Sequence, residues 1–264
     1  MKYVDIHCHL DFPDYDSDRE EVLVRMREKE VGAITIGADL ESSKRAVKIA
    51  ETNENVWACV GVHPDNAPST PPLNLRGGRG ELGELVLSKK TVAIGECGLD
   101  YFRLDPAFAK ATAGKQKKLF ESQIQFAIKH NKPLMLHIRD AYEDALEILV
   151  NYKKEAGKKL RGNVHFFAGD TKIAKKFLDL DFTLSFTGVI TFTHDYDEVI
   201  KYIPPNSIMS ETDAPFVAPV PYRGKRNEPI YVIEVVKKMA EIRGENEDIL
   251  SEAIINNAKR VFGI

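Results

Sequence analysis

The sequence has few cysteines and no long apolar segment. Cys8, Cys59 and Cys97 lie in apolar runs and form no CxxC pair, which excludes a disulfide framework and predicts reduced core thiols. No run approaches the roughly 18 apolar residues that a membrane span needs, and the opening MKYVDIHCHL lacks the apolar stretch of a secretory leader. We therefore expect a cytoplasmic protein with no part in a membrane.

An excess of charge of one sign is also lacking. The 37 basic and 40 acidic residues give a formal net charge of −3, which argues against a surface that coats nucleic acid non-specifically but permits a local basic rim. The 264 residues are 43% hydrophobic and 29% charged, which excludes disorder and allows one large domain or two small ones. Charge alone does not decide the substrate.

What the chain does have is a repeated pattern of strand and helix. Eight short apolar runs are typical of buried strands: YVDIHCHL, VGAITIGA, VWACVGVHP, TVAIGECGLD, KPLMLHIRD, GNVHFFAG, FTLSFTG and SIMSETDAP. Helical periodicity follows most of them, at 18–30, 41–53, 116–131, 141–155 and 171–180. This α/β alternation predicts a closed (β/α)8 TIM barrel, with an open doubly wound sheet as the alternative because periodicity cannot show closure.

The barrel pattern continues to the end of the sequence. Two helices broken at Arg243-Gly244 are predicted to complete the outer layer. The stretches 67–84 and 103–115 are rich in small residues, Pro and Gly, and are interpreted as loops or insertions. Because strand and helix units continue on both sides of each stretch, we predict a single domain over residues 1–264.

His7 and His9 in HCHL are the first candidates for chemistry. Residues two apart on a strand face the same way, so both imidazoles should point into the barrel while Cys8 faces the helices. A single histidine there would more often be a hydrogen-bonded core residue. Two of them on one face, preceded by Asp5, favour a divalent cation, since one cation satisfies two buried imidazoles at once.

Later strands carry further ligand-type side chains at or near their ends. Glu96 is predicted to end the fourth strand and His137 the fifth, while His165 lies in the sixth and Asp213 follows the eighth. In a barrel they would converge with His7 and His9 on one mouth. Six nitrogen and oxygen ligands exceed the needs of one tetrahedral ion that keeps an open position, so we predict two divalent ions bridged by Glu96. Mg²⁺, Mn²⁺ and Zn²⁺ all remain open as the metal, and no organic cofactor is expected.

Several motifs in the chain resemble those of the TatD family of metal-dependent deoxyribonucleases. They are HCHL at 7–10, GECGLDY at 95–101, LHIRD at 136–140, LSFTGVITF at 184–192, ETDAPF at 211–216 and RGKRNEP at 223–229. The resemblance implies a TIM barrel and a divalent-metal hydrolase acting on phosphodiesters of DNA. It also implies one metal held by His7, His9, Glu96 and Asp213, and a second held by Glu96, His137 and His165.

The chain departs from the family pattern in two places. In HFFAG, Phe166 and Ala168 replace the Cys and the Ser or Thr often found there, which is expected to alter packing beside His165. The segment 103–115 is longer than usual, which is expected to alter how substrate reaches the site.

The ligand set also predicts catalytic roles and substrate contacts. Asp213 would hold a metal and orient or deprotonate the attacking water, with Glu96 as the bridging catalytic carboxylate. Cationic groups near the mouth are the candidates for phosphate contact, namely Arg139, Arg223, Lys225 and Arg226. Against these roles stands the ordinary alternative of a solvated charged surface.

Five further residues have alternative roles, at the mouth or at the surface. His63 in GVHP is predicted to contact substrate or a metal ligand, with a structural hydrogen bond as the alternative. Tyr101 is predicted to stack a base or line the cleft, although a packed aromatic is equally common at a loop start. Glu211 either orients a ligand or pairs with a basic residue. His130 and His194 are expected at the surface.

Three classes of function follow. The leading one is a DNase that takes single-stranded DNA or exposed ends, because a narrow barrel mouth fits a strand better than a duplex, and we expect it to be a monomer. The second is an amidohydrolase or an aminoacyl-tRNA esterase on the same scaffold, but many amidohydrolases bridge their metals with a modified lysine on the fourth strand, where this chain has Glu96. The third is a non-catalytic binding protein, which six competent ligands disfavour.

Overall fold

A parallel eight-stranded sheet forms the centre of the protein. The computed structural model describes residues 1–67, 81–102, 104 and 109–264. Each strand pairs with the next one along the chain, in the order β1 to β8. The strands are β1 (Tyr3–Cys8), β2 (Val31–Ile36), β3 (Val56–Val60), β4 (Thr91–Asp100), β5 (Leu134–Arg139), β6 (Gly162–Val164), β7 (Phe182–Phe186) and β8 (Ile208–Ser210). Most strand residues are buried on both faces, as expected when helices cover a parallel sheet.

The sheet closes on itself between the segment after β8 and the end of β1. The Asp213 backbone N–H donates to the His7 carbonyl at 2.9 Å, and the His9 N–H donates to the Ala214 carbonyl at 2.7 Å. Below this point the buried Asp5 carboxylate accepts hydrogen bonds from the backbone and the hydroxyl of Thr212. The predicted (β/α)8 TIM barrel is therefore confirmed, and the alternative of an open sheet is excluded.

Helices pack around the outside of the barrel. Those in the described part of the chain are α1 (Arg19–Glu28), α2 (Leu40–Thr52), α3 (Glu81–Leu85), α4 (Ala109–His130), α5 (Tyr142–Ala156), α6 (Thr171–Leu178), α7 (Asp197–Tyr202), α8 (Val232–Arg243) and α9 (Glu247–Phe262). The predicted break between the last two helices is confirmed, because Gly244 ends α8 in the left-handed conformation (φ 66°). None of the described helices is both long and apolar enough to cross a membrane.

The predicted loops were partly wrong. Residues 81–84 belong to α3, and residues 109–115 form the first turns of α4. The segment at the start of α4, AKATAGKQKK, lacks apolar periodicity but is rich in Ala and Lys, which have high helix propensity. The rest of the two predicted loops, at 68–80, 103 and 105–108, lies outside the described residues.

Candidate metal centre

The six predicted ligands converge at the mouth formed by the C-terminal ends of the strands. His7 lies in β1, and His9 follows directly after it; His137 lies in β5, and His165 follows β6. Asp213 comes three residues after β8. The expectation for Glu96 needs one correction, because it does not end its strand. β4 continues to Asp100, with an irregular register between Ile94 and Cys97 that brackets Glu96.

One side of the cluster, which we call the β1–β8 half, comprises His7, His9 and Asp213 around one oxygen of Glu96. The His7 Nε2 atom lies 3.7 Å from both Glu96 Oε2 and Asp213 Oδ1. The His9 Nε2 atom lies 3.9 Å and 3.6 Å from the same two oxygens. Ligands of a tetrahedral cation with bonds of about 2.1 Å lie about 3.4 Å apart, so these donors have nearly the spacing of a coordination shell.

The other side, the β5–β6 half, comprises His137 and His165 around the second oxygen of Glu96. His137 Nδ1 and His165 Nε2 each lie 2.8 Å from Glu96 Oε1, and the two nitrogens are 3.1 Å apart. These are hydrogen-bond distances. The same ligand types therefore meet here in a closer arrangement than in the β1–β8 half.

The charge states of His7 and Glu96 suit a cation. Burial and the neighbouring His165 lower the pKa of His7 well below its usual value, so His7 is neutral and both its ring nitrogens lack a hydrogen-bond partner. Burial opposes ionisation of Glu96, but His165, His63 and the other imidazoles lower the pKa of this carboxyl well below its usual range. A buried neutral imidazole with no partner, facing an ionised carboxylate, is chemically suited to a divalent cation.

Outer partners face three of the four histidines, at hydrogen-bond distance for His9 and His137 and at a longer ion-pair distance for His165. His9 Nδ1 lies 3.1 Å from the Ile36 carbonyl, an acceptor only, so Nδ1 carries a proton and Nε2 has a free lone pair whenever the ring is neutral. His165 Nδ1 lies 3.6 Å from Glu211 Oε1, and Glu211 also accepts from Ser185 at 2.8 Å. Glu211 thus contacts a ligand histidine rather than a basic residue of the rim.

The third outer partner, Asp100, was missed by the sequence analysis. Its Oδ2 lies 3.0 Å from His137 Nε2, on the side of the ring away from Glu96. Burial opposes the effect, but the bond with His137 lowers the pKa of Asp100. A signal was available, because residues 96, 98 and 100 share one face of a strand. Gly98 allows the backbone of β4 to lie close to that of β5, since a Cβ at this position would lie 2.0 Å from the His137 carbonyl oxygen.

The cluster forms the floor of a cavity of about 870 Å³ that opens to solvent. Among the residues that the structure describes, five carboxylates line it, against a single guanidinium, that of Arg139. The carboxylates are Asp65, Glu96, Asp100, Asp140 and Asp213. An anionic substrate would be repelled by this lining unless cations neutralised it. The lining therefore gives a second, independent reason for metal ions at this site.

Two of the residues predicted to contact substrate line the cavity. Arg139 is exposed, with its guanidinium carbon 3.5 Å from the ring centre of Phe102. His63 lies with Nε2 3.7 Å from Glu96 Oε1. Its Nδ1 accepts the Asp65 backbone N–H at 3.2 Å, so the neutral ring carries its proton on Nε2, facing the cavity.

The other four predicted contacts lie off the cavity wall. The Tyr101 hydroxyl donates to Asp144 at 2.8 Å, and Arg226 donates to both Asp18 oxygens at 2.7 and 2.6 Å. Arg223 and Lys225 are exposed, and Arg223 covers the ring of Phe192 at 3.7 Å. The expected surface position of His194 is observed, whereas His130 is half-buried against Phe126.

The departure from the family pattern beside His165 also lies at the cavity. Phe166 and Ala168 both line it, and the rings of His165 and Phe166 meet edge to face at 6.2 Å. The Phe166 backbone N–H donates to Glu211 at 2.6 Å, which links this position to the outer partner of His165. An aromatic side chain here adds apolar surface to the cavity wall.

Comparison with known proteins gives consistent similarities. The sequence profile of the family described as TatD-related DNase matches residues 4–263. The chain is 37% identical over 263 residues to the uncharacterized metal-dependent hydrolase YabD of Bacillus subtilis, covering 98% of each chain. It is 34% identical over 270 residues to the uncharacterized metal-dependent hydrolase YcfH of Escherichia coli, covering 100% of this chain and 97% of that one. The crystal structure of YjjV, a TatD homologue from Escherichia coli, superposes with a TM-score of 0.88 at 27% identity, covering 100% and 98% of the two chains.

Proposed function

The chain belongs to the TatD-related DNase family of metal-dependent hydrolases, and on that premise we propose that it hydrolyses phosphodiester bonds of DNA at single strands or exposed ends. The observation that carries the proposal is the β1–β8 half. The Nε2 atoms of His7 and His9 lie 3.6 to 3.9 Å from the facing oxygens of Glu96 and Asp213, beyond hydrogen-bond distance, at the base of an open acidic cavity. Such spacing suits a shared cation rather than contacts among the side chains themselves.

We assign two divalent ions to this centre, with Mg²⁺, Mn²⁺ and Zn²⁺ as candidates. His7, His9, Glu96 and Asp213 would hold one, and Glu96, His137 and His165 the other. Bound there, the ions would supply hydroxide at neutral pH and offset the negative charge of substrate and carboxylates. Glu96 is suited to serve both, because its two oxygens face different halves.

Asp213 is the proposed proton acceptor for the attacking water. Its side chain is 14% exposed against 5% for Glu96, so it is the ligand carboxylate in better contact with the cavity. Its backbone is fixed by the N–H bond to the His7 carbonyl, which keeps the carboxylate beside His7 and His9. A carboxylate held at a cavity wall in this way can orient a water molecule and take its proton.

His63 and Arg139 are the proposed contacts to the phosphate. The proton on His63 Nε2 points toward the cluster, and the Arg139 guanidinium is exposed at the cavity wall. Both are donors without acceptor capacity at those atoms, which suits phosphate oxygens. Arg226 is left out of this set, because its guanidinium already bonds Asp18, Glu228 and the Asp14 carbonyl.

The test uses metal-reconstituted protein with end-labelled single-stranded and double-stranded DNA. We expect nucleotide release in the presence of at least one of the candidate metals, faster from single strands. Glu96→Ala and Asp213→Ala should reduce release to background. The matched control is Glu198→Ala, which removes an exposed carboxylate on α7 and should release nucleotides as fast as the wild type. Absence of nucleotide release by the wild type with Mg²⁺, Mn²⁺ and Zn²⁺ would falsify the proposed function.

A further inference from the structure

Two exposed phenylalanines flank the metal centre. Phe102 is 57% exposed and Phe216 is 50% exposed, and both line the cavity. Phe102 follows β4 and Phe216 follows β8, which are four strands apart in the eight-stranded ring and so lie on opposite sides of the mouth. Exposed aromatic rings on both sides of a polar centre indicate contact with a partner that carries flat apolar faces.

The backbone of each phenylalanine is bonded to an acidic residue of the centre. The Phe102 N–H donates to Asp100 Oδ1 at 2.9 Å, and Asp100 in turn contacts His137. The Phe216 N–H donates to the Asp213 carbonyl at 2.9 Å, and its own carbonyl accepts from Asn227 at 2.6 Å. The backbone of both residues is therefore held close to the acidic residues of the centre, which limits where the two rings can lie.

The surroundings of the rings differ but both suit stacking. The guanidinium carbon of Arg139 lies 3.5 Å from the Phe102 ring centre, which makes a composite cationic and aromatic platform. Phe216 meets Phe12 edge to face at 6.0 Å, and Phe12 stacks on the ligand His9 at 4.5 Å. Aromatic packing thus extends from one exposed ring down to the metal ligands.

We propose that Phe102 and Phe216 are two nucleobase-stacking subsites, one on each side of the scissile phosphate. This inference rests on the proposed function and names the part of the substrate that each wall of the cavity recognises. Every nucleobase has a flat face, so such subsites bind DNA with little regard to sequence. Bases inside a duplex have both faces covered by their neighbours, so only unpaired nucleotides can use both subsites.

After β4, the proposed stacking residue is Phe102 rather than its neighbour Tyr101. Tyr101 was predicted to stack a base, but its hydroxyl bonds Asp144 and its ring packs against the hydrophobic core. Phe102 takes the position at the mouth instead.

The experiment compares two leucine variants with a matched control. Phe102→Leu and Phe216→Leu remove the aromatic ring at an exposed position and keep an apolar side chain. Phe192→Leu is the control, because Phe192 is 41% exposed and lies under Arg223 much as Phe102 lies under Arg139, but it does not line the cavity. Phe102→Tyr and Phe216→Tyr retain an aromatic ring and serve as conservative variants.

Dissociation constants are measured by fluorescence anisotropy on the metal-loaded proteins. One probe is a phosphorothioate single-stranded oligonucleotide, and the other is a strand of equal length built from tetrahydrofuran abasic units. Each leucine variant should bind the base-bearing strand about five- to one-hundred-fold more weakly than the wild type, and the abasic strand equally well. The tyrosine variants and Phe192→Leu should bind both strands as the wild type does.

Three results would overturn the stacking subsites. They are wild-type affinity of the leucine variants for the base-bearing strand, equal losses on both strands, and failure of the wild type to prefer bases. Nucleotide release is measured separately on ordinary DNA. If nucleotides are released but the affinity for the base-bearing strand does not depend on Phe102 and Phe216, the subsites are rejected and the nuclease proposal stands. If binding of the base-bearing strand depends on the two phenylalanines but no metal-loaded form releases nucleotides, the nuclease proposal is rejected and the subsites stand.

Discussion

The two halves of the metal centre share Glu96 but differ in how their donors are satisfied. Around Glu96 Oε2, the donors of the β1–β8 half stand 3.6 to 3.9 Å apart, and both nitrogens of His7 lack a hydrogen-bond partner. Around Glu96 Oε1, His137 and His165 are bonded to the carboxylate at 2.8 Å. One half is spaced for a cation in advance, whereas the other would have to exchange side-chain hydrogen bonds for metal bonds.

The difference follows from what holds each half. Backbone hydrogen bonds that close the barrel, from Asp213 to His7 and from His9 to Ala214, fix the β1–β8 half. In the β5–β6 half the His165 backbone N–H also donates to the Leu136 carbonyl at 3.0 Å, but the rings contact further carboxylates, Asp100 beside His137 and Glu211 beside His165. Preorganised donors lose less conformational freedom on binding, so we expect the β1–β8 half to bind its metal more tightly.

The largest effect is expected at Glu96, because both halves of the centre depend on this residue. Glu96→Gln keeps the shape of the side chain but removes the charge that serves both halves, so kcat should fall by about 10³-fold. Elemental analysis should show less metal in the variant, and Glu198→Gln on the exposed face of α7 serves as its control. Full wild-type metal content in Glu96→Gln would show that Glu96 bridges nothing.

The next prediction separates the halves by metal affinity. Asp213→Asn should weaken the tighter of two metal-binding events by more than about 100-fold, because it removes a ligand carboxylate from the preorganised half. His165→Gln should weaken only the second event. Isothermal titration calorimetry with Mn²⁺ measures both. If His165→Gln removed the tighter event, the order of affinities argued from donor spacing would be reversed.

A smaller effect is expected from the outer carboxylate of the β5–β6 half. Asp100→Asn retains the size of the side chain but weakens the orientation of His137, so affinity for the second metal should fall by about 10- to 100-fold while the first is unchanged. Asp144→Asn, which loses the partner of Tyr101 and Lys117 outside the cavity, is the control. Equal losses in both variants would point to a general change of stability, which thermal melting would reveal.

The smallest effect concerns the support of the β1–β8 half from outside. Arg226 bonds both oxygens of Asp18, on the chain after β1, and contacts Glu228, on the chain after β8. These bonds lower the pKa of Asp18. The contribution of this pair to stability is therefore full above the unfolded pKa of about 3.9 and is lost as pH falls through the lower folded value.

Arg226→Gln should accordingly reduce the free energy of unfolding at pH 7 by at most about 1 kcal/mol, since the pair is partly exposed. Urea unfolding at pH 7 and at acidic pH measures the difference, which should shrink below about pH 4. A difference that grew with acidity would contradict this sign. A small loss of affinity for the first metal alone would show that this network helps to set the donor spacing.

Much of the centre was predictable because strand geometry is local. The alternation of His7 and His9 about Cys8, and the ligand-type residues near the ends of β4, β5 and β6, follow from a side-chain period of two and from parallel strands ending together. Asp100 obeys the same rule, two steps beyond Glu96. The loop predictions were wrong at 81–84 and 109–115 because they relied on missing apolar periodicity, which a helix with high intrinsic propensity does not need.

The sequence by itself determined the alternation of eight strands with helices, because repeated strand and helix patterns specify which residues must be buried. Closure of the sheet was decided by contacts between β1 and the segment after β8. The sequence also determined the set of candidate ligands, because polar side chains at the ends of buried strands need partners. Only the tertiary structure decided which candidate ligands lie beyond hydrogen-bond distance of one another and which are hydrogen-bonded to Glu96. It also decided which aromatic side chain faces the mouth, Phe102 rather than Tyr101. Those properties depend on distances of a few tenths of an ångström and on side-chain directions, which arise from contacts between strands far apart in the chain.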